Sequence, residues 1–476
     1  MPSEKTNEQP EVLPPNWDLD RPRPPRWILI PTTIVILLLA TISNMAANDI
    51  NSSDPHYLQT FKGWGILFRI TALVLISGYN TRWSHAGVRA VVVLAMSLGT
   101  YEVAMRLNPV RLQALQMAAG IMKAVRFHGK NDLRYEEIPI PDVKPGQVKI
   151  KPAWVGICGT DLHEYLGGPN LCPTTPHPIT GEQVPVTFGH EFSGIVEEVA
   201  DDVKDYKKGD RVVVQPIIYD GTCTACEEGL HNCCWSNGFI GLSGWGGGLA
   251  DHIVVPSSTL YHLPDNVPLE IGALVEPLAV GWHAVKVSPF KKGDVVLILG
   301  GGPIGISTIL ALKAKGCDRI IVSEVSRKRQ EFAKIFGADY IIDPTKEDVP
   351  KRCKELSDGK GVHIVYDCAG VQAALDQAVL ATRPRGCILN IAIWEKPCTI
   401  TANDFNFKER MYMGIATYEV GDFQEVIDAL SAGSMKPHQM ITQKIKLTEV
   451  EEKGFKSLIH DKDNQVKILV EVGGGD

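Results

Sequence analysis

Residues 295–314 read VVLILGGGPIGISTILALKA, which is an apolar β run, a glycine-rich turn and a helical segment in direct succession. The spacing of the glycines allows a tight turn and lets a pyrophosphate approach the helix N-terminus. Free N–H groups and the helix dipole favour an anion there. We therefore predict a dinucleotide site at this turn, formed by Gly300, Gly302, Pro303, Ile304 and Gly305.

The segment after the turn continues the same alternation of strand and helix. Residues 319–323 form a second β run and residues 327–336 have a helical pattern, which predicts a parallel sheet with crossover helices. Glu324 ends the second β run, where its carboxylate would accept hydrogen bonds from ribose hydroxyls and repel a 2′-phosphate. This favours NAD over NADP. Two nearby arginines, Arg327 and Arg329, weaken this preference for NAD. We also assign Arg329 to the cofactor site. The alternative for both arginines is a solvated helix face.

Four potential metal ligands precede the turn. Cys158 lies between Ile157 and Gly159, His190 and Glu191 are adjacent, and Glu276 stands before a proline. A thiolate, an imidazole and a carboxylate make an open three-ligand zinc site that leaves room for water or substrate. Together with a dinucleotide turn, such a site predicts hydride chemistry on an alcohol or a ketone.

Three residues that follow Cys158 are candidates for proton handling. Thr160 would take the alcohol proton and pass it to His163, because an imidazole suits a relay near neutral pH. Asp161 would accept a hydrogen bond from the His190 ring and fix its tautomer. The alternative for each residue is a simple turn hydrogen bond.

A second cluster of ligands follows the first. Asp220, Cys223 and Cys226 are evenly spaced, and Cys234 comes eight positions later. This spacing predicts a lobe closed around one structural zinc, with Asp220 as a carboxylate ligand and Cys233 as a substitute ligand. An empty loop with free thiols is the alternative. The clustering of the cysteines favours metal over disulfides and indicates a reducing, cytosolic setting.

The first 121 residues have a different texture. A polar, proline-rich tail is followed by apolar stretches at 27–42, 63–79 and 86–105, each marginal as a membrane span. We weigh membrane association through residues 27–105 against a small helical hairpin packed on itself. If the segment is membranous, the basic residues favour two spans with the N-terminus in the cytosol, and we expect no signal peptide. The net charge of -7 gives no reason to expect a nucleic-acid partner.

From Met122 to about Val472, the sequence resembles the zinc-containing medium-chain alcohol dehydrogenases. The resemblance rests on Gly189-His190-Glu191, the cysteine lobe and the turn at 300–305. It is strongest for the branch that contains 2,3-butanediol and sorbitol dehydrogenases, because of Glu276 and the glycine-rich run at 238–248. The chain departs from the family pattern at Asp220 and throughout residues 1–121.

The resemblance implies an α/β enzyme with two domains. A GroES-like, β-rich catalytic domain would span 122–277 and 416–476, and a Rossmann domain with a doubly wound parallel sheet would span 278–415. An N-terminal extension at 1–121, with apolar helical segments, would precede them. Cys158, His190 and Glu276 or Glu191 would hold the catalytic zinc, and Thr160 and His163 would form the relay. A homo-oligomer, either a dimer or a tetramer, is also implied.

We therefore expect a cytoplasmic, zinc- and NAD-dependent enzyme that interconverts a secondary alcohol or vicinal diol with its ketone. Butanediol and acetoin are the first substrates to consider. A polyol dehydrogenase of the sorbitol and xylitol type is the nearest alternative. A membrane-tethered, non-catalytic dinucleotide-binding protein is the alternative from another class.

Overall fold

The structure, a computed structural model, describes residues 120–473. The predicted tail and apolar stretches of the N-terminal extension lie outside the described residues. None of the helices within 120–473 combines the length and the apolar character that crossing a membrane requires.

Eighteen strands occur in the described region. In chain order they are β1 (Ile121–Gly129), β2 (Asp132–Pro139), β3 (Gln147–Gly156), β4 (Val186–Thr187), β5 (Glu191–Val199), β6 (Arg211–Val214), β7 (Ile217–Ile218), β8 (Gly238–Phe239), β9 (Ile253–Pro256), β10 (Leu260–His262), β11 (Val295–Leu299), β12 (Arg319–Ser323), β13 (Tyr340–Ile342), β14 (Val362–Asp367), β15 (Thr382–Asn390), β16 (Met411–Gly414), β17 (Ile441–Lys446) and β18 (Lys467–Glu471).

Eleven α-helices connect or flank these strands in the same region. They are α1 (Gly159–Gly167), α2 (Thr224–Glu227), α3 (Leu269–Gly272), α4 (Val275–Val287), α5 (Pro303–Ala314), α6 (Arg327–Ile335), α7 (Val349–Leu356), α8 (Gln372–Ala381), α9 (Ala402–Asn406), α10 (Asp422–Ser431) and α11 (Lys456–His460). Short 3-10 helices span His231–Cys233, Ser257–Thr259, His438–Met440 and Leu447–Glu449, and a π-helix spans Val450–Phe455.

The six strands β11 to β16 form one parallel sheet in the order β13-β12-β11-β14-β15-β16. This order reverses between β11 and β14, and the crevice at such a switch point binds ligands in doubly wound sheets. The sheet is buried on both faces: Val296 and Ile298 of β11 pack into one core, and Val295 and Leu297 pack into another. That burial explains why β11 is apolar at every position.

The strands before β11 and after β16 belong to other sheets. A seven-stranded sheet has the order β10-β6-β5-β3-β18-β17, with β9 also paired to β3. A three-stranded sheet, β2-β1-β4, and a two-stranded sheet, β7-β8, complete the set. Strand β18 pairs antiparallel with β3, so the chain returns after the parallel sheet to complete a sheet that it began much earlier.

Helices α4 and α10 carry the chain into and out of the parallel-sheet region, and a buried ionic cluster joins them. The Asp422 carboxylate accepts hydrogen bonds from His283 Nδ1 and Lys286 Nζ, each at 2.8 Å. Asp422 is fully buried, yet these two partners outweigh the effect of burial and lower the pKa of its carboxyl group. The ion pairs therefore fix the two connecting helices against each other.

Candidate active site

Cys158 lies between strand β3 and helix α1 and is the N-cap residue of that helix. Its backbone N–H donates to Asp161 Oδ2 at 2.9 Å, and the other carboxylate oxygen of Asp161 lies 3.3 Å from His190 Nδ1. Asp161 is fully buried. One carboxylate thus stabilises the first turn of α1 and approaches the imidazole ring that sequence reasoning assigned to it.

The thiol of Cys158, a ring nitrogen of His190 and a carboxylate oxygen of Glu191 all lie within 4.8 Å of one another. Cys158 follows β3, and His190 immediately precedes β5, which begins at Glu191. Since β3 and β5 are paired and Gly156 is the register partner of Glu191, the sheet brings the three ligand atoms together.

Glu276 lies on α4 and is also buried, although it is not within the group of three. Its Oε1 accepts a hydrogen bond from the Tyr418 hydroxyl at 2.9 Å. The carboxylate of Glu191 has a different partner, since Lys467 Nζ donates to both of its oxygens, at 2.7 and 2.6 Å. Two buried carboxylates therefore border the site, and only Glu191 is bonded to a buried cation.

Tyr418 and Lys467 were missed by sequence reasoning. Lys467 does leave a signal, because it is charged within the otherwise apolar run Val466–Val470, and a lysine in a buried strand requires a buried anion. No pattern around Tyr418 distinguishes it from an ordinary core tyrosine.

The electrostatics of this cluster fit a divalent cation. Burial, and then the charge of Glu191, raises the pKa of the Cys158 thiol and raises that of Glu276 to about 7. Burial alone would lower the pKa of His190, but Asp161 and Cys158 outweigh it and raise it well above its usual value. These shifts favour the protonated forms of the three groups, whereas a zinc ion would favour the thiolate and carboxylate forms that bind it.

The two predicted relay residues lie on the first turns of α1. Thr160 Oγ1 is 3.6 Å from the Cys158 sulfur. His163 is farther along the helix, with its side chain 39% exposed, and its Nδ1 lies 3.4 Å from Glu395 Oε1. The hydroxyl is thus placed beside the metal ligands and the imidazole toward solvent.

The predicted cofactor residues surround the carboxyl end of β11. A Cβ atom at Gly305 would lie 2.0 Å from the carbonyl oxygen of Gly300, and Gly300 itself has φ +94°, so this turn requires glycine at both positions. Pro303 and Ile304 begin α5. Glu324 Oε2 accepts from the Gly301 N–H at 2.6 Å, which anchors the carboxylate against the turn. Of the remaining cofactor candidates, Gly302 belongs to the turn itself and Arg329 lies in α6.

Arg329 lies in the first turn of α6, near the glycine-rich segment at 300–305, but its guanidinium group points to another loop. Its Nη2 donates to the Lys462 carbonyl at 3.0 Å, while Nη1 would lie 3.6 Å from a Cβ placed on Gly302. Ser326, the N-cap of α6, donates its N–H to Glu324 Oε1 at 2.8 Å. Glu324 therefore accepts a backbone hydrogen bond on each oxygen, and each oxygen keeps a second lone pair for a ligand.

The residues of the second predicted metal site also lie close together. Ligand atoms of Asp220, Cys223, Cys226 and Cys234 lie within 4.8 Å of one another, and the Cys223 and Cys234 sulfurs are 3.9 Å apart. Backbone N–H groups of Asp220 and Ser236 approach the Cys234 sulfur at 3.3 and 3.4 Å. These donors suit a thiolate, so the lobe fits a zinc ion.

Asp220 is the unusual member of this lobe. Its Oδ1 accepts backbone hydrogen bonds from Thr222 at 2.7 Å and Cys223 at 2.9 Å, which lower the pKa of the carboxyl group and keep it anionic. Cys233, the substitute ligand, is exposed and is not part of the group. All eleven cysteines are free thiols in the described residues.

Comparison with known proteins identifies the protein's relatives. Residues 144–265 match the alcohol dehydrogenase GroES-like domain, and residues 303–432 match the zinc-binding dehydrogenase family. An (R,R)-butanediol dehydrogenase of Neisseria gonorrhoeae is 43% identical over 73% of this chain and 99% of the relative. The chain belongs to the zinc-type alcohol dehydrogenase family. Its predicted activity class and cofactors are thereby confirmed: it is a zinc- and NAD-dependent alcohol dehydrogenase.

Two further relatives give the range of similarity within the dehydrogenase family. The crystal structure of 2R,3R-butanediol dehydrogenase from Bacillus subtilis superimposes with a TM-score of 0.70 at 45% identity and covers 74% of this chain and 99% of that one. Sorbitol dehydrogenase from Bacillus subtilis is 30% identical over 73% of this chain and 97% of the relative. The predicted combination of a GroES-like domain with a Rossmann sheet is confirmed.

The comparisons give no support to the membrane-tethered, non-catalytic alternative. The predicted membrane association of residues 27–105 lies outside the described residues and stays a prediction. The assignments of individual site residues also stay predictions.

Proposed function

We propose that this dehydrogenase oxidises a vicinal diol to its hydroxyketone with NAD, and that 2,3-butanediol and acetoin are its substrate pair. The observation that carries the proposal is the cluster of Cys158 with the buried His190 and Glu191, and with Thr160 beside it, in a chain 43–45% identical to butanediol dehydrogenases. A polyol such as sorbitol or xylitol is the second candidate, supported by the 30% identity to sorbitol dehydrogenase.

The chemistry needs a metal, a proton acceptor and a hydride acceptor. Cys158, His190 and Glu191 would hold the zinc, with Glu276 as the alternative carboxylate. Bound zinc polarises the alcohol oxygen and lowers its pKa. Thr160 would accept the hydroxyl proton and pass it to His163. The turn of residues 300–305 would hold NAD, which would supply the hydride acceptor. The alcohol loses one hydride and one proton and becomes the ketone.

A substrate panel tests the proposal. NADH formation is measured at 340 nm with the stereoisomers of 2,3-butanediol and with sorbitol and xylitol, and its consumption is measured with acetoin. We expect kcat/KM for at least one butanediol stereoisomer to exceed that for either polyol by at least about tenfold, which corresponds to about 1.4 kcal/mol in transition-state binding. A polyol preferred over every butanediol isomer would replace the first candidate with the second.

Cys158→Ser provides the control for metal dependence. This variant should lose turnover and catalytic zinc while NADH binding, followed by fluorescence, stays nearly unchanged, because the parallel sheet does not require that thiol. Zinc content of Glu191→Gln and Glu276→Gln distinguishes the two carboxylates, because only the true ligand should be needed for tight binding. Turnover of Cys158→Ser near the wild-type rate would contradict the zinc assignment.

We further propose the domain boundaries 122–277 with 416–476, and 278–415, and a homo-oligomeric, cytoplasmic catalytic region. Strand β18 paired with β3 supports the return of the chain to the first domain. Helix α4 crosses the boundary at 277, so the two domains share a continuous helix there. Size-exclusion chromatography with light scattering tests the oligomer, and mass spectrometry of the native N-terminus with membrane fractionation tests residues 1–121.

A further inference from the structure

Glu395 lies beside the imidazole of the predicted relay, on a different segment of the chain. Its Oε1 is 3.4 Å from His163 Nδ1. The histidine lies on α1, next to the metal ligands, whereas Glu395 lies in the loop after β15 of the parallel sheet. Within residues 120–473, Glu395 is the carboxylate at ion-pair distance from this imidazole.

The loop that carries Glu395 is held in a defined place. The backbone N–H groups of Ile391 and Ala392 donate to the Asp367 carbonyl at 2.9 and 3.0 Å. Trp394, the residue before Glu395, donates its indole N–H to Asn390 Oδ1 at 2.8 Å. The glutamate therefore extends from a braced segment at the carboxyl ends of β14 and β15.

The helix that carries His163 is braced as well. Glu164, the next residue, is buried, and its carboxylate accepts backbone hydrogen bonds from Asn170 and Leu171 at 2.8 Å each. The Asp161 carboxylate caps the first turn of the same helix and faces His190. These two acidic residues of α1 are committed elsewhere, which leaves Glu395 to interact with His163.

We propose that Glu395 is a positioning residue for the relay, acting on His163 through its contact with Nδ1. This proposal rests on the proposed function. A carboxylate 3.4 Å from Nδ1 favours the tautomer that carries its proton on Nδ1, so Nε2 is the nitrogen that would receive the proton from Thr160. The ring then carries two protons and one positive charge beside an anion, and it returns one proton to water. Glu395 neither gains nor loses a proton in this sequence.

The contact also links the geometry of the relay to the distance between the metal ligands and the dinucleotide turn. His163 belongs to the part of the chain that carries the metal ligands, and Glu395 belongs to the part that carries the dinucleotide turn. The imidazole is oriented by Glu395 only while these two parts are close to each other. Proton transfer is therefore most efficient in the arrangement that also brings alcohol and cofactor together.

A double-mutant cycle on the full-length enzyme tests the proposal. Glu395→Gln should lower the rate of hydride transfer, measured as the pre-steady-state burst of NADH, by about threefold to fivefold, the range expected for an exposed ion pair. In a His163→Gln background, the same substitution should have no further effect, because Glu395 acts through that ring. NADH affinity and KM should stay unchanged. Lys396→Gln, at the adjacent exposed position, is the matched control and should behave as the wild type.

A second measurement requires no substrate. Diethylpyrocarbonate acylates an unprotonated imidazole nitrogen, which here is Nε2, and a carboxylate at Nδ1 makes Nε2 a better nucleophile. Glu395→Gln should therefore slow modification of His163 by about twofold to fivefold. Peptide mass spectrometry measures this rate, with the exposed His438 as the internal standard. This result is independent of whether butanediol is the substrate. Equal His163 modification rates in wild type and Glu395→Gln, or equal effects of Glu395→Gln with and without His163, would overturn the proposal.

Discussion

Replacing Lys467 by methionine should be among the most destabilising single substitutions near the active site. The lysine is 2% exposed, and its ammonium bonds both oxygens of the fully buried Glu191. Methionine preserves most of the volume but leaves the carboxylate without its counter-ion. Removing one partner of a buried pair costs about 3–5 kcal/mol. With about 2 cal/mol/K of unfolding entropy per residue over the described region, the melting temperature should fall by about 4–7 °C.

Differential scanning calorimetry of metal-free protein measures this effect without a contribution from zinc binding. Lys453→Met is the matched control, because Lys453 pairs with Glu449 on the surface with 59% and 31% of the side chains exposed. Such a pair is worth at most about 0.5 kcal/mol, so the control should shift by less than about 1 °C. The double variant Lys467→Met, Glu191→Gln should recover part of the loss. If Lys467→Met melts within about 1 °C of Lys453→Met, our account of the buried pair is wrong.

Three other predictions concern the cofactor, the lobe and acid stability. Glu324→Ser should raise the ratio of kcat/KM with NADP to kcat/KM with NAD by about tenfold. Glu324→Gln should keep more of the hydrogen bonds to the turn. A wild type that prefers NADP would contradict the assignment of Glu324 to the ribose hydroxyls. Asp220→Cys should tighten, and Asp220→Ala should loosen, a second zinc; one zinc per chain in wild type, with unchanged melting in Asp220→Ala, would show that the lobe is empty. The pKa of Asp422 is lowered in the folded state, so its contribution to stability is present above the unfolded pKa of ~4 and is lost as the pH falls through the folded pKa. Asp422→Asn should therefore be less stable at pH 7, and its melting temperature should depend less on pH in the acid range. A parallel downward shift of the melting temperature at every pH would argue against the ion pairs.

Local patterns predicted much of the parallel sheet. The β runs at 295–299 and 319–323 coincide with β11 and β12, because strands buried on both faces are apolar throughout and therefore stand out in a sequence. The helix predicted at 327–336 ends one residue earlier, at Ile335. Short strands such as β7 and β8 gave no comparable signal, since two residues cannot display a period.

The candidate site likewise contains residues that the sequence predicted and residues that it did not. Cys158 and His190 were identifiable because glycine-flanked ligands have a recognisable local context. The partners of the two carboxylates were not, because Lys467 and Tyr418 reach the site from strands and segments that follow the whole parallel sheet. Glu395 was missed for a similar reason, since only the folded chain brings its loop to α1. Sequence reasoning therefore predicted the candidate ligands and Asp161 beside them, and missed Lys467, Tyr418 and Glu395, which contact these candidates from distant parts of the chain.

The pairing of β18 with β3 has a consequence for how the chain folds. Glu191 and Lys467 are separated by 276 residues, and an unstructured loop of that length must close before the two charges meet. Once the parallel sheet has formed, however, α4 and α10 lie side by side and deliver the following chain next to the place where the sheet was entered. The inserted domain therefore shortens the effective loop. This favours a folding order in which the parallel sheet forms first and the seven-stranded sheet is completed last, when β18 pairs with β3.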